Sequence, residues 1–78
     1  MTIHKNTLID ELSSSVGQKQ AKEVLQEAIG KASVRDGQQY DEDEVMEVLD
    51  TMKELNDVSS IVRVSANTIQ TRMRTGDI

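Results

Sequence analysis

Side chains able to do chemistry are few in this chain and poorly matched to one another. Histidine occurs once, at His4, and cysteine not at all. Ser13, Ser14 and Ser15 form a run of hydroxyls, but no histidine accompanies them to act as base, so a nucleophile–base pair cannot be assembled. His4 has no second histidine or cysteine to share a metal with, and is read as solvated. The carboxylates are denser, since "YDEDEV" brings Asp41, Glu42, Asp43 and Glu44 together. A calcium loop needs oxygens at alternating positions, a central glycine and a terminal glutamate, and "DGQQYDEDEVME" lacks that order. The same residues suit a helix start. Asp41 as N-cap with Glu44 three residues on makes the acidic variant of a capping box, and Tyr40 and Val45 flank it as a hydrophobic staple. The run also suits docking of a basic partner, which requires no fixed spacing. There is no glycine-rich phosphate loop. The inventory predicts no enzyme, no metal and no cofactor.

The elements that hold these residues follow from hydrophobic spacing. Proline is absent, and helix formers dominate residues 1–56. Thr7 is a candidate N-cap for a first helix carrying Leu8, Leu12 and Val16, with Gly17 as its stop. The second helix has the cleanest pattern: Ala21, Val24, Leu25, Ala28, Ile29 and Ala32 form one continuous stripe. Gly30 lies off that stripe, either relaxing the last turn or leaving room for a neighbour. Asp36-Gly37 marks a turn. Val45, Val48, Leu49, Met52 and Leu55 form the inward face of the third helix, and Asn56-Asp57 breaks it. The spacing predicts an all-α fold: a small bundle of four to five short helices at about 7–16, 18–33, 42–55, 58–63 and 66–74. The last two are alternatively one helix. Residues 1–78 read as a single domain with 1–5 frayed.

Bulk composition sets limits. A chain of 78 residues buries only ~60% of the surface its unfolded form exposes. Without disulfides, and with Tyr40 as the sole aromatic, its core is thin and aliphatic. That thinness predicts a homo-oligomer, in which a second copy covers apolar surface. "MTIHKNTLIDEL" has no apolar run before its first acids, and no stretch reaches the ~20 apolar residues of a membrane span, so a soluble cytoplasmic chain is expected. The net charge of −5 is unevenly spread. Eight acids against Lys53 fall in residues 41–57, whereas Arg63, Arg72 and Arg74 face only Asp77 in residues 58–78.

The C-terminal segment admits two readings. As one helix over 58–74, it turns Val58, Ile61, Val62, Ser65, Ile69 and Met73 inward and leaves Val64 outside. In the other reading it breaks. "DVSSIVRVSANTIQTRMR" resembles the helix-turn-helix of the promoter-binding region of bacterial sigma factors and of LuxR-type regulators. Val58, Ile61 and Val62 match the first helix, Val64 the turn, and Ser65 the N-cap of the recognition helix, with Thr68, Ile69 and Met73 facing inward. Arg63 takes the turn position that the family gives to glycine. The resemblance implies that Ala66, Asn67, Gln70, Thr71 and Arg74 face a DNA groove while Arg63 and Arg72 meet phosphates. The function expected on that basis is a small DNA-binding regulator. The alternative is a non-enzymatic protein-interaction module (adaptor, inhibitor or assembly factor) using its acidic third helix. The backbone from Arg63 to Ser65 separates the two.

Overall fold

Among the described residues, helix formers without proline give four helices, and a short ribbon that the hydrophobic spacing does not announce joins them. The computed structural model describes residues 2–55 and 58–76. Along these run β1 (Thr2–His4), α1 (Lys5–Val16), α2 (Gln18–Lys31), β2 (Gln39–Asp41), α3 (Glu42–Glu54) and α4 (Ser60–Thr75). The result is a small all-α bundle carrying one two-stranded antiparallel ribbon. Among the described residues no helix is long and apolar enough to cross a membrane.

Two expectations are corrected here, and of the two readings of the C-terminal segment the single helix is the one observed. Residues 2–4, read as frayed, pair with β2: Thr2 opposes Asp41, Ile3 opposes Tyr40 and His4 opposes Gln39. The reason is burial, since Ile3 and Tyr40 are each almost fully enclosed while their neighbours stay outside. Because β1 leads straight into α1, His4 and not Thr7 occupies the N-cap position. The segments at 58–63 and 66–74 are one helix, with Ser59 as its N-cap accepting from the Val62 amide at 3.4 Å. The break expected at Asn56-Asp57 lies outside the described residues.

Strand, helix, helix occurs twice in this order, and the two halves repeat their burial pattern. Ile3, Leu8 and Leu12 of the first half correspond to Tyr40, Val45 and Leu49 of the second. Ala21, Val24, Leu25, Ala28 and Ile29 of α2 correspond to Val62, Ser65, Ala66, Ile69 and Gln70 of α4 at identical spacing. The helices form a ring in which α1 packs on α2 and α4, and α3 packs on the same two. One aliphatic core lies inside the ring, closed at one end by Ile3 and Tyr40.

Helix ends are satisfied locally. Asp41 and Glu44 form the expected capping box: the Asp41 carboxylate accepts the Glu44 amide at 2.8 Å, and Glu44 accepts the Asp41 amide at 3.0 Å. Tyr40 and Val45 on either side are both buried. α2 ends through Ser33, whose φ of 58° puts a non-glycine residue in the left-handed region. Gly30, by contrast, has helical backbone, and a Cβ placed on it meets nothing within 4 Å. No neighbour needs the space. Gly30→Ala is therefore expected to stabilise the fold by about 1 kcal/mol, seen as a rise of roughly 4–8 °C in the thermal midpoint followed by circular dichroism.

Candidate functional site

The unbroken helix α4 redistributes the residues on which a DNA contact would rest. Val64 is 65% exposed, not buried beneath a turn. Ser65 sits mid-helix and buried instead of capping. Ala66 and Gln70, which the two-helix reading turns outward, have no exposed surface. A continuous 3.6-residue period rotates them inward beside Val62 and Ile69, and the same rotation carries Thr68 to the outside. Arg63 needs no positive φ, because the helix passes through it.

Two of the three arginines are engaged by the chain itself. Arg63 donates from Nε to the Lys53 carbonyl at 3.1 Å and from Nη2 to the Leu55 carbonyl at 3.0 Å. It thereby satisfies carbonyls at the end of α3, where a positive charge also suits the helix dipole. Arg72 bridges to Glu11 on α1. Of the seven sequence candidates, only Asn67, Thr71 and Arg74 remain exposed without such a tie to another element, and Arg74 has no ion pair among the described residues.

Gln70 explains its own burial. Its Nε2 donates to Asp50 Oδ1 at 2.8 Å and to the Met46 carbonyl at 3.3 Å, while its Oε1 accepts from Lys53 Nζ at 2.6 Å. Both donors and the acceptor of the amide are used, so α4 is tied to α3 with no stranded polar atom. The matching position in the first half is Ile29. The geometry predicts that Gln70→Ala lowers stability by about 2–3 kcal/mol, through lost packing and charge-assisted hydrogen bonds. Gln70→Leu keeps the volume and should lose less than about half of that. Urea unfolding of the two variants checks the order.

The outer face of α3 is the most strongly charged surface. Asp43, Glu47, Asp50 and Glu54 are all exposed and recur every three or four residues, so they form one line. Asp50 is 3.5 Å from Lys53 and bonded to Gln70. Glu42, Asp43, Glu47 and Glu54 have no partner among the described residues. Capping accounts for Asp41 to Glu44, where the helix dipole favours negative charge. It does not account for Glu47 or Glu54. Like charges at these spacings disfavour a helix by about 0.2–0.5 kcal/mol per pair, and Glu54 also sits at the end where the dipole opposes it.

Elsewhere several polar groups are tied into the fold. Lys5 lies 3.0 Å from Asp36, and that hydrogen bond and charge hold the Asp36 carboxyl below its ordinary pKa. Arg35 sits 5.5 Å from the Tyr40 ring and donates to the Gln39 carbonyl at 2.8 Å, fastening the loop before β2. Ser13 and Ser14 donate to the carbonyls of Asp10 and Glu11. His4 is exposed on β1. Among the described residues no three acidic, histidine or cysteine side chains are grouped to hold a metal ion.

One surface went undetected in the hydrophobic spacing. Ile61, placed inward by the one-helix reading, is 56% exposed next to Val64. With Ser15, Ser60 and Ser65 these two residues line a shallow hollow of about 220 Å³. The available signal was the alternation of Ile61, Val64, Thr68 and Thr71, a second apolar-leaning stripe opposite the buried one. The chain matches no protein-family model, no curated protein and no solved structure. The fold and its surfaces thus define it only as a small helical protein with one acidic face and one uncharged face.

Proposed function

We propose that this chain is a non-enzymatic protein-interaction module whose acidic face on α3 docks a basic segment of a partner protein. The observation that carries this reading is the line Asp43, Glu47, Asp50 and Glu54. It is exposed, its Glu47 and Glu54 oppose the helix they stand on, and among the described residues it is balanced only at Lys53. A cationic partner removes that repulsion on binding and is steered toward the face from a distance. A protein partner is favoured over DNA because Ala66 and Gln70 lie in the core and Arg63 and Arg72 serve other helices. Arg74 alone then remains to attract phosphate from that segment, beside a strongly acidic neighbouring helix.

Fluorescence anisotropy with a labelled Lys/Arg-rich peptide of about 15 residues tests the reading. Binding should weaken as salt rises from about 50 to 300 mM. The triple variant Asp43→Asn, Glu47→Gln, Glu54→Gln should bind at least tenfold more weakly at ~50 mM salt, and the double variant Glu47→Gln, Glu54→Gln, which leaves the first turn of α3 intact, should unfold at a higher temperature than the parent. Equal affinity for parent and variant would sink the proposal. Retention of duplex DNA at ~50 mM salt, abolished by Arg74→Ala, would replace it with the nucleic-acid reading.

A further inference from the structure

Packing alone does not explain the glutamine at position 70. The first half carries Ile29 at the matching place, so the core accepts an aliphatic side chain there. A glutamine needs two donors and an acceptor satisfied, whereas an apolar residue of similar volume fills such a site with no polar atom to partner. What the amide adds is control over two charged residues at the edge of the acidic face. Its Nε2 donates to Asp50 Oδ1 at 2.8 Å, and its Oε1 accepts from Lys53 Nζ at 2.6 Å. Gln70 itself is wholly enclosed, so the core holds the amide in place.

Each end of that amide sets something on which docking of a basic segment depends. Asp50 is fastened through one oxygen only, since the Lys53 ammonium, 3.5 Å away, approaches the same Oδ1. Its Oδ2 takes no bond among the described residues, and the side chain is 64% exposed. A carboxylate already held in one orientation loses little freedom when a cation arrives. Glu47 and Glu54 are longer and nothing holds them, so each loses more on ordering.

Lys53 is the only base on α3. At ~100° per residue it stands about a quarter turn from the middle of the acidic line, on the side where it meets Gln70 of α4. The hydrogen bond to Gln70 keeps the ammonium on that flank. Released on its flexible four-carbon stem, the ammonium settles on Asp50 and takes the place of a partner's lysine or arginine. We infer that Gln70 is the positioning residue of the acidic docking face, presenting Asp50 Oδ2 to a basic side chain and holding the face's own lysine aside. This rests on the docking reading above.

Gln70→Leu separates positioning from charge, because every acid and base of the chain stays in place. In the anisotropy assay at ~50 mM salt, it should weaken binding of the same Lys/Arg-rich peptide about threefold or more, with the helical circular dichroism of the parent. Adding Lys53→Gln to Gln70→Leu should raise affinity by a larger factor than Lys53→Gln does in the parent, since only a released lysine competes. A side chain that merely fills the core does not produce that coupling. Should Gln70→Leu fail to fold, Gln70→Met, unbranched like glutamine, takes its place in both comparisons. Equal affinity of the Gln70 variant and the parent overturns the inference and leaves the docking reading standing. So does Lys53→Gln acting by one factor in both backgrounds. A parent that does not bind the peptide, or an α3 triple variant that binds as well as the parent, overturns the docking reading and this inference with it.

Discussion

The pairing of Ile3 with Tyr40 is the constraint on which the rest of this structure depends. Two helices joined in sequence can bury one face against each other, but α1 with α2, or α3 with α4, encloses no core alone. Closing the ring requires the start of the chain to meet its middle. The ribbon achieves this with three residues on each side, placing the aliphatic Ile3 opposite the chain's only aromatic ring. Tyr40 is held in turn by its own loop, its hydroxyl accepting the Gly37 amide at 2.9 Å and its ring lying beside Arg35. Because each strand runs directly into a helix, fixing the ribbon also fixes where α1 and α3 begin. The halves are then obliged to pack as a pair, and the corresponding burial of α2 and α4 follows from that geometry.

What the sequence disclosed depended on how many residues shared each signal. The stripe on α2 is repeated over three turns and was legible from Ala21 to Ile29, while Ala32 proves to lie past the helix end and only half-buried. The start of α3 was legible because Asp41, Glu44, Tyr40 and Val45 all serve one local motif. The ribbon was not, since a three-residue strand with one apolar position has no period to detect. The C-terminal segment misled for a related reason. Ser65, Val64 and Thr68 carry short-range features of a capped second helix, whereas the decisive features are long-range: Gln70 reaching Asp50, Arg63 reaching Leu55 and Arg72 reaching Glu11. A glutamine inside an apolar stripe reads as a boundary until its three hydrogen-bond partners are in view. Those partners sit on another helix, beyond any local window.

The acidic face was legible as composition, and its physical significance comes from position. At the start of α3 the acids stabilise the helix, while farther along they oppose it. One run of carboxylates therefore contains both a capping device and a surface feature. Only the latter half calls for an explanation outside the monomer. In a domain this small, with a thin aliphatic core, an uncompensated repulsion of a few tenths of a kcal/mol per pair is a meaningful share of a net stability of only several kcal/mol.

The same reasoning applies to α4 with the sign of the chemistry changed. Its buried face is satisfied by the bundle, and even its one buried amide is fully bonded. Its outer face combines poor helix propensity with exposed methyl groups, a combination that the isolated chain does nothing to offset. Acids concentrated on α3 and absent from α4 divide the molecule into an acidic face and a face without carboxylates. Neither property requires catalytic groups or a cofactor, in keeping with a sequence whose reactive side chains are few and scattered. Function in such a chain resides in which faces the fold leaves unsatisfied, and that is decided by the ring that the Ile3–Tyr40 pair closes.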